Sequence, residues 1–186
     1  MDNINNLYYK LFICKDCSQS IKEYEESNEN PKNILNFGYV QIYDNLTPNL
    51  ILRTPPMVCI FGLNKKYWSI NLQFTNYKND KIMNGFLKLL ENIDNLNKEY
   101  LGIDDDLYLN QIKYDKNEKY DPNIIIKLPK TKTGFNIDII NQNYDNMTIF
   151  NIQKYSKMIC DIYIDKIWKF NDKFVCKWKA KRIEIL

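Results

Sequence analysis

The sequence contains no histidine, and this absence excludes several classes of enzyme at once. Without an imidazole there is no Ser-His-Asp or Cys-His nucleophile, no histidine proton shuttle and no histidine-ligated metal. The 5 glycines are widely spaced, so a glycine-rich loop that could hold phosphates is absent as well. We therefore expect a protein that is not an enzyme and that uses no cofactor.

Long hydrophobic runs are also missing. No stretch reaches about 18 apolar residues, and residues 1–6 lack the basic start of a signal peptide, so the sequence predicts neither a membrane span nor a secretory leader. The 5 cysteines are an odd number, which fits a reducing compartment better than a disulfide framework. We expect an intracellular protein without membrane contacts.

What is present suits one folded domain. The 186 residues are 45% hydrophobic and 26% charged, which is enough apolar side chain for a real core. The net charge of +3 conceals an uneven distribution. Residues 91–121 hold nine acidic side chains against four lysines, whereas residues 151–186 hold nine basic side chains against four acidic ones. The chain therefore has an acidic middle and a basic C-terminal part.

Hydrophobic periodicity predicts strands and one helix. Strand-like segments cover residues 34–43, 58–61, 67–74, 124–128, 135–139, 158–164 and the stretch after 172. Apolar residues at spacings of three and four predict a helix over 81–101, capped by Asp80 and stopped by Gly102. Residues 1–33 are interpreted as an irregular segment and 102–121 as a poorly structured acidic insert. Residues 34–186 then form one domain that is mainly β with one long helix (α+β), an OB-fold-like five-stranded barrel.

The same periodicity assigns faces to the elements. In the strand over 67–74, Trp68, Ile70, Leu72 and Phe74 share a face, and in the last strand Phe174, Cys176, Trp178 and Ala180 point inward. The helix is expected to bury the stripe formed by Ile82, Phe86, Leu89, Ile93, Leu96 and Tyr100. Trp178 is therefore interpreted as a core residue and not as a stacking platform.

Two motifs could carry metal or redox chemistry, and both have an ordinary interpretation. Cys14 and Cys17 form a C-x-x-C, but the other cysteines do not supply a second pair at zinc-ligand spacing. The run Asp104, Asp105 and Asp106 could hold a divalent cation, yet a solvated acidic loop is the usual meaning of such a run. No metal site is therefore predicted.

Basic and aromatic residues alternate in several places, as in proteins that bind single-stranded nucleic acid. Such proteins need a positive groove for phosphates and aromatic faces for bases. Tyr67, Trp168 and Phe170 are the stacking candidates, since each lies beside a lysine at a strand end or in a loop. The lysines expected to meet phosphates are Lys65, Lys66, Lys130, Lys132, Lys169, Lys173, Lys177 and Lys179. Lysines on the solvent face of a strand are also common without any ligand.

The C-terminal third resembles a known family. It contains an Ile167-Trp168 pair, a short loop with Lys173-Phe174, and the finish Trp178-Lys179, preceded by a strand ending in Lys127-Leu128-Pro129. This pattern is similar to the OB-fold single-stranded-DNA-binding proteins of nucleocytoplasmic large DNA viruses, which are related to replication proteins of short-tailed phages. Val175 departs from the group, where a glycine is expected, and residues 181–186 are not acidic as in the phage proteins.

The resemblance implies a viral protein that binds single-stranded DNA in DNA replication and recombination, without catalysis. It further implies replication proteins as partners and the virus factory of the host cytoplasm as the location. The sequence itself leaves the oligomeric state open, with a homo-oligomer as one arrangement. A non-catalytic structural or assembly protein of a virion or replication compartment is the alternative. A nuclease that uses the carboxylates of Asp104 to Asp106 is a third interpretation.

Overall fold

The computed structural model describes residues 51–141, 147–170 and 172–186, and in the N-terminal part only the strands at 8–13, 22–23 and 38–43. Twelve strands are assigned within these residues: β1 (Tyr8–Ile13), β2 (Lys22–Glu23), β3 (Gly38–Tyr43), β4 (Ile51–Arg53), β5 (Met57–Cys59), β6 (Ser69–Gln73), β7 (Tyr108–Leu109), β8 (Ile112–Lys113), β9 (Asn123–Lys127), β10 (Asp138–Asn141), β11 (Ser156–Phe170) and β12 (Lys173–Ile185). Helix α1 (Lys81–Leu101) lies between β6 and β7. The protein is therefore mainly β with one helix among its described residues, which confirms the predicted α+β class.

Five strands form a closed ring. Hydrogen-bonded neighbours around it are β5, β6, β9, β12 and β11, and β11 pairs with β5 to close it. The β5–β6, β6–β9 and β11–β5 pairs are antiparallel, whereas β9 and β12 run parallel. Joining β9 to the last strand in parallel requires a crossover connection, which β10 and β11 provide.

The described chain divides into two compact units. The first unit comprises residues 1–50, 90–110 and 164–177, and the second comprises 51–89, 111–163 and 178–186. In the first unit, β1 pairs with β2 and β3, the end of β11 pairs with β3, and the start of β12 pairs with β7. In the second unit, β4 pairs with β11, β8 with β9, and β10 with the end of β12.

Alternating side chains build the core of the second unit. Every second residue of β9 is buried, and Ile70 and Leu72 of β6 are fully buried. The start of β11 contributes Met158, Cys160 and Ile162, which are all at 0% exposure. Arg53 on β4 donates hydrogen bonds to Asp161 at 3.1 Å and to Glu184 at 2.6 Å. Apolar burial thus fixes the interior, and one arginine joins three strands at the surface.

Helix α1 has the predicted limits. The carboxylate of Asp80 accepts hydrogen bonds from the backbone N–H groups of Ile82 and Met83, at 2.9 and 3.1 Å, and so caps the first turn. Gly102 adopts a φ of 60°, the left-handed conformation that ends a helix. The predicted face is partly wrong, since Ile82 is 73% exposed and Met83, Leu87 and Leu90 are buried instead.

The two segments expected to lack structure contain strands. Residues 8–13, which lie in the predicted irregular segment 1–33, form β1 and pair with β3 over six residues. Within the acidic insert, β7 and β8 bury Tyr108 and Ile112, and a 3-10 turn (Asp105–Leu107) precedes them. Both strands are only two residues long, too short for a hydrophobic periodicity to show in the sequence. They form because β7 pairs with β12 and β8 pairs with β9. None of the helices in the described ranges is long and apolar enough to cross a membrane.

Candidate nucleic-acid interface

The loop between β5 and β6 has a fixed backbone. Asn64 and Ser69 exchange two backbone hydrogen bonds, at 2.9 and 3.3 Å, across its base. The side-chain oxygen of Asn64 accepts hydrogen bonds from the N–H groups of Lys66 and Tyr67, at 3.1 and 3.2 Å. This turn, stabilised by an asparagine side chain, leaves Lys65 and Lys66 exposed and Tyr67 56% exposed.

Trp68 closes this loop in an uncommon conformation. Its φ is 47°, in the left-handed region that costs a bulky side chain on the order of 1–3 kcal/mol. The Trp68 carbonyl accepts a hydrogen bond from the N–H of Leu128 at 2.8 Å, which holds the residue in place. The sequence placed Trp68 on one face of a strand with Ile70, Leu72 and Phe74, but β6 begins only at Ser69. The left-handed turn interrupts the alternation, and the indole is only half-buried.

Lysines surround these two aromatic rings. The ammonium groups of Lys66 and Lys127 lie 5.1 and 5.4 Å from the centre of the Tyr67 ring. The Lys127 ammonium also donates to the carbonyl of Tyr67 at 3.4 Å. The ammonium of Lys130 lies 4.7 Å from the centre of the Trp68 ring. Such distances are within the range of cation–π attraction. We call Lys65, Lys66, Tyr67, Trp68, Lys127 and Lys130 the loop cluster.

Two phenylalanine rings contact Trp68 and extend the aromatic surface beyond the loop cluster. The rings of Trp68 and Phe135 meet edge to face, with centres 4.9 Å apart, and Phe150 approaches Trp68 from 6.3 Å. The Lys65 ammonium lies 5.8 Å from the Phe150 ring centre. Phe150 is 60% exposed. The aromatic surface therefore extends from the β5–β6 loop to the chain that precedes β11.

The charge of this surface is positive throughout. Segments 60–68 and 127–135 contain five lysines and no aspartate or glutamate. Four of these lysines belong to the loop cluster, and the fifth, Lys132, is exposed in the turn between Lys130 and Phe135. Lys179 lies opposite Lys127 in the parallel β9–β12 pair. The arrangement offers ammonium groups to an anion beside flat aromatic rings.

The other predicted residues lie in the first unit. Trp168 on β11 is 37% exposed, with the Lys166 ammonium 4.8 Å from its ring centre. The side chain of Lys169 is only 16% exposed and lies 3.9 Å from the carboxylate of Asp172. Lys173 is exposed and Lys177 is half-buried. The side chain of Phe170 lies outside the described residues.

The structure thus brings together Lys65, Lys66, Tyr67 and Lys130 of the predicted set. Sequence reasoning missed the contribution of Trp68, Lys127 and Phe150 to the same surface. The position of Lys127 beside the turn at Pro129 was a usable signal, because a lysine at a strand end lies near its neighbours across the sheet. The left-handed turn at Trp68 has no signature in the sequence, since a tryptophan rarely adopts that conformation.

The acidic run and the thiols were the other candidates for chemistry. Asp104, Asp105 and Asp106 are exposed, and Asp105 forms an ion pair with Lys98. Within the described ranges, no group of three or more histidine, cysteine, aspartate or glutamate side chains could hold a metal ion. Cys14 and Cys17 lie outside the described residues. Cys160 and Cys176 are buried thiols, and burial raises the pKa of each well above its ordinary value.

A buried polar group lies in the first unit. The Tyr108 hydroxyl donates to the Asp94 carboxylate at 2.8 Å and accepts from the side-chain amide of Asn97 at 3.1 Å. Burial raises the pKa of Asp94 to about 6, although the hydrogen bond from Tyr108 and the charge of Lys98 oppose that shift. These side chains stabilise one another inside the fold, where a ligand has no access to them.

Comparison with other proteins adds no family assignment. No protein-family model matches the chain, and no curated protein matches its sequence.

Proposed function

We propose that the protein binds single-stranded DNA without sequence preference, through the loop cluster of its second unit. The observation that carries this proposal is the placement of three lysines around the rings of Tyr67 and Trp68 on a surface whose loops hold no carboxylate. Ammonium groups meet phosphates, and aromatic faces meet bases. No group in the cluster reads the edge of a particular base, so the contact is sequence-independent.

The aromatic component favours a single strand over a duplex. A base can stack on Tyr67 only when its own face is free, which a paired and stacked base is not. Each stacked base contributes about 1–3 kcal/mol. Lysines alone would hold single and double strands alike, so Tyr67 and Trp68 supply the discrimination.

The strand order supports an OB-type barrel as the scaffold. Numbered along the chain, the five ring strands are β5, β6, β9, β11 and β12, and their neighbours around the ring run first, second, third, fifth, fourth. A parallel contact between the third and fifth strands accompanies this order. The loop between the first and second strands is a ligand-binding loop of OB folds, and here it carries Lys65, Lys66 and Tyr67.

The biological setting belongs to the same proposal. The resemblance of the C-terminal third to single-stranded-DNA-binding proteins of large DNA viruses favours DNA over RNA. It also favours a role in viral DNA replication and recombination, with replication proteins as partners in the host cytoplasm. In this proposal the protein catalyses no reaction, and its activity is to coat single-stranded DNA.

Salt-dependent binding tests the proposal. Fluorescence anisotropy of a labelled oligo-dT of about 30 nucleotides, measured over a range of salt, gives the number of neutralised phosphates. With four to six phosphates, the slope of log affinity against log salt is about −3 to −4 for a single strand. Duplex of the same length should compete poorly, and an RNA competitor reports the sugar preference.

Matched variants separate the loop cluster from general charge. Lys66→Ala with Lys130→Ala removes two ammonium groups from the cluster and should flatten the slope by about 1.4. Lys116→Ala with Lys119→Ala removes the same charge from exposed positions beside acidic residues, and should leave the slope unchanged. Equal effects of the two pairs, or no binding by the wild type at low salt, would refute the proposal.

A further inference from the structure

Three of the exposed aromatic side chains of the second unit lie on segments 59–63 and 149–155, beyond the loop cluster. Phe61, Phe150 and Tyr155 are 67, 60 and 66% exposed, and we call them the second aromatic surface. A phenylalanine has no polar atom, so exposing one leaves its ring in contact with water without compensation. Clustered exposure of this kind marks a surface that another molecule covers.

Backbone contacts hold the second aromatic surface together. The N–H of Leu63 donates to the carbonyl of Ile152 at 3.3 Å, and the N–H of Tyr155 donates to the carbonyl of Cys59 at 2.7 Å. Residues 59–63 and 152–155 therefore run side by side. Gly62 lies so close to this segment that an added Cβ would stand 2.9 Å from the backbone nitrogen of Lys154.

A capped turn presents Phe150. The 3-10 turn (Ile149–Asn151) buries Ile149 and leaves Phe150 facing outward. The side chain of Asn151 accepts a hydrogen bond from the N–H of Thr148 at 2.8 Å and fixes the start of the turn. The position of the Phe150 ring is therefore set by the backbone and by its contact with Trp68.

Backbone strain points to the same place. Five described residues other than glycine have a positive φ, and Asn76, Glu118 and Asp172 among them are polar. The other two are the aromatics Trp68, at 47°, and Tyr155, at 66°. One belongs to the loop cluster and one to the second aromatic surface. Strain of this kind persists where function requires a side chain in a set position.

The lysines beside the second aromatic surface indicate which kind of molecule binds there. Segment 149–157 contains Lys154 and Lys157 and no acidic residue, and the Lys154 ammonium lies 4.7 Å from the Tyr155 ring centre. An apolar protein partner would not require this charge, whereas a strand of unpaired nucleotides supplies both phosphates and bases. We propose that Phe61, Phe150 and Tyr155 take further unpaired bases of the strand that the loop cluster holds, which makes a footprint longer than the β5–β6 loop alone. This inference rests on the proposed function.

Oligonucleotides of two lengths test the footprint. Phe61→Leu keeps an apolar side chain but removes the flat ring face, and Tyr155→Asn keeps a residue that tolerates the left-handed conformation. The double variant should bind a 20-nucleotide oligo-dT about tenfold or more weakly than wild type. Its affinity for a 6-nucleotide oligo-dT, measured by competition, should stay within about twofold of wild type. Tyr67→Ala should weaken both lengths.

Tyr120→Ala is the control. Tyr120 is 62% exposed and follows a lysine whose ammonium lies 5.3 Å from its ring, as in the Lys154–Tyr155 pair, but it stands among acidic residues. It should change neither affinity. Unchanged binding of the long oligonucleotide by the double variant would overturn the inference, as would equal loss at both lengths or a change in self-association alone. Failure of the wild type to bind either length would instead refute the proposed function.

Discussion

At the scale of the residue, close approach explains Gly62. Its φ is 70°, and an added Cβ would meet the backbone of Gln153 and Lys154 at 3.1 and 2.9 Å. Gly62→Ala should therefore lower the free energy of unfolding by more than the roughly 1 kcal/mol expected from the conformation alone. Chemical denaturation measures this loss.

Gly134→Ala provides the comparison. Gly134 also has a positive φ, of 147°, but an added Cβ there would meet no atom within 4 Å. Alanine at Gly134 is strained by its backbone conformation alone, whereas alanine at Gly62 adds the contact with residues 153 and 154. If Gly62→Ala cost no more than about 1 kcal/mol, the packing of the β5–β6 loop on residues 152–155 would not contribute.

Asp94 makes stability depend on pH. Burial raises its pKa to about 6, so the folded chain holds a proton that the unfolded chain, with a pKa near 3.9, releases. The contribution of this group to the free energy of unfolding is therefore highest below about pH 4 and falls by about 2–3 kcal/mol as the pH rises to about 6, after which it is constant.

Replacement of Asp94 by asparagine should remove this dependence. The neutral amide oxygen still accepts the hydrogen bond from Tyr108. The variant should gain stability relative to wild type as the pH rises from 4 to 8, as measured by thermal or urea unfolding. Asp104→Asn, at an exposed position, is the control and should follow the wild type. A parallel pH dependence of wild type and the Asp94 variant would contradict the assignment.

The sequence predicts correctly which side chains are buried where buried and exposed positions alternate along a strand. Phe174, Cys176, Trp178 and Ala180 are buried as predicted, and β12 alternates from Cys176 to Ala180, where the lysines between them are half-buried. Trp68 follows the same pattern in the sequence, yet a left-handed turn displaces it. The turn depends on hydrogen bonds to Asn64 and Leu128, and the second of these is 60 positions away. Contacts of that range cannot be deduced from a periodic pattern.

At the scale of the element, helix α1 shows what local signals determine. Its limits were predictable, since Asp80 and Gly102 act on the turns next to them. Its buried face was not, because Asp94 and Asn97 lie inside although both are polar. Their burial depends on Tyr108, which belongs to another element. The polar partners shift the buried face away from Ile82.

Removal of the cap should weaken the helix. Asp80→Ala deletes the acceptor for two backbone N–H groups and should reduce the free energy of unfolding by about 1 kcal/mol. Asp80→Asn keeps a side-chain oxygen and should retain most of the stability. Urea unfolding followed by circular dichroism distinguishes the variants. An equal loss in both would assign the effect to charge and not to capping.

At the scale of the whole molecule, the sequence yields the class of fold more readily than its pairing. The order of strands and one helix predicted a mainly β protein, which the structure confirms. The parallel pairing of β9 with β12 joins residues more than 50 positions apart. The candidate interface also depends on contacts between residues that are far apart in the sequence. Segments 60–68, 127–135 and 149–157 form it together, and each lies next to a different strand.

The lysines that lie over aromatic rings have a consequence for the free protein. In the free state the ammonium groups of Lys66, Lys130 and Lys154 occupy the faces of Tyr67, Trp68 and Tyr155. Each charged group keeps water at a face that would otherwise attract a second copy of the chain. Under the proposed function, a phosphate that draws a lysine away makes the ring beneath it available to a base. In that proposal the same side chain covers the ring in the free protein and leaves it when DNA binds.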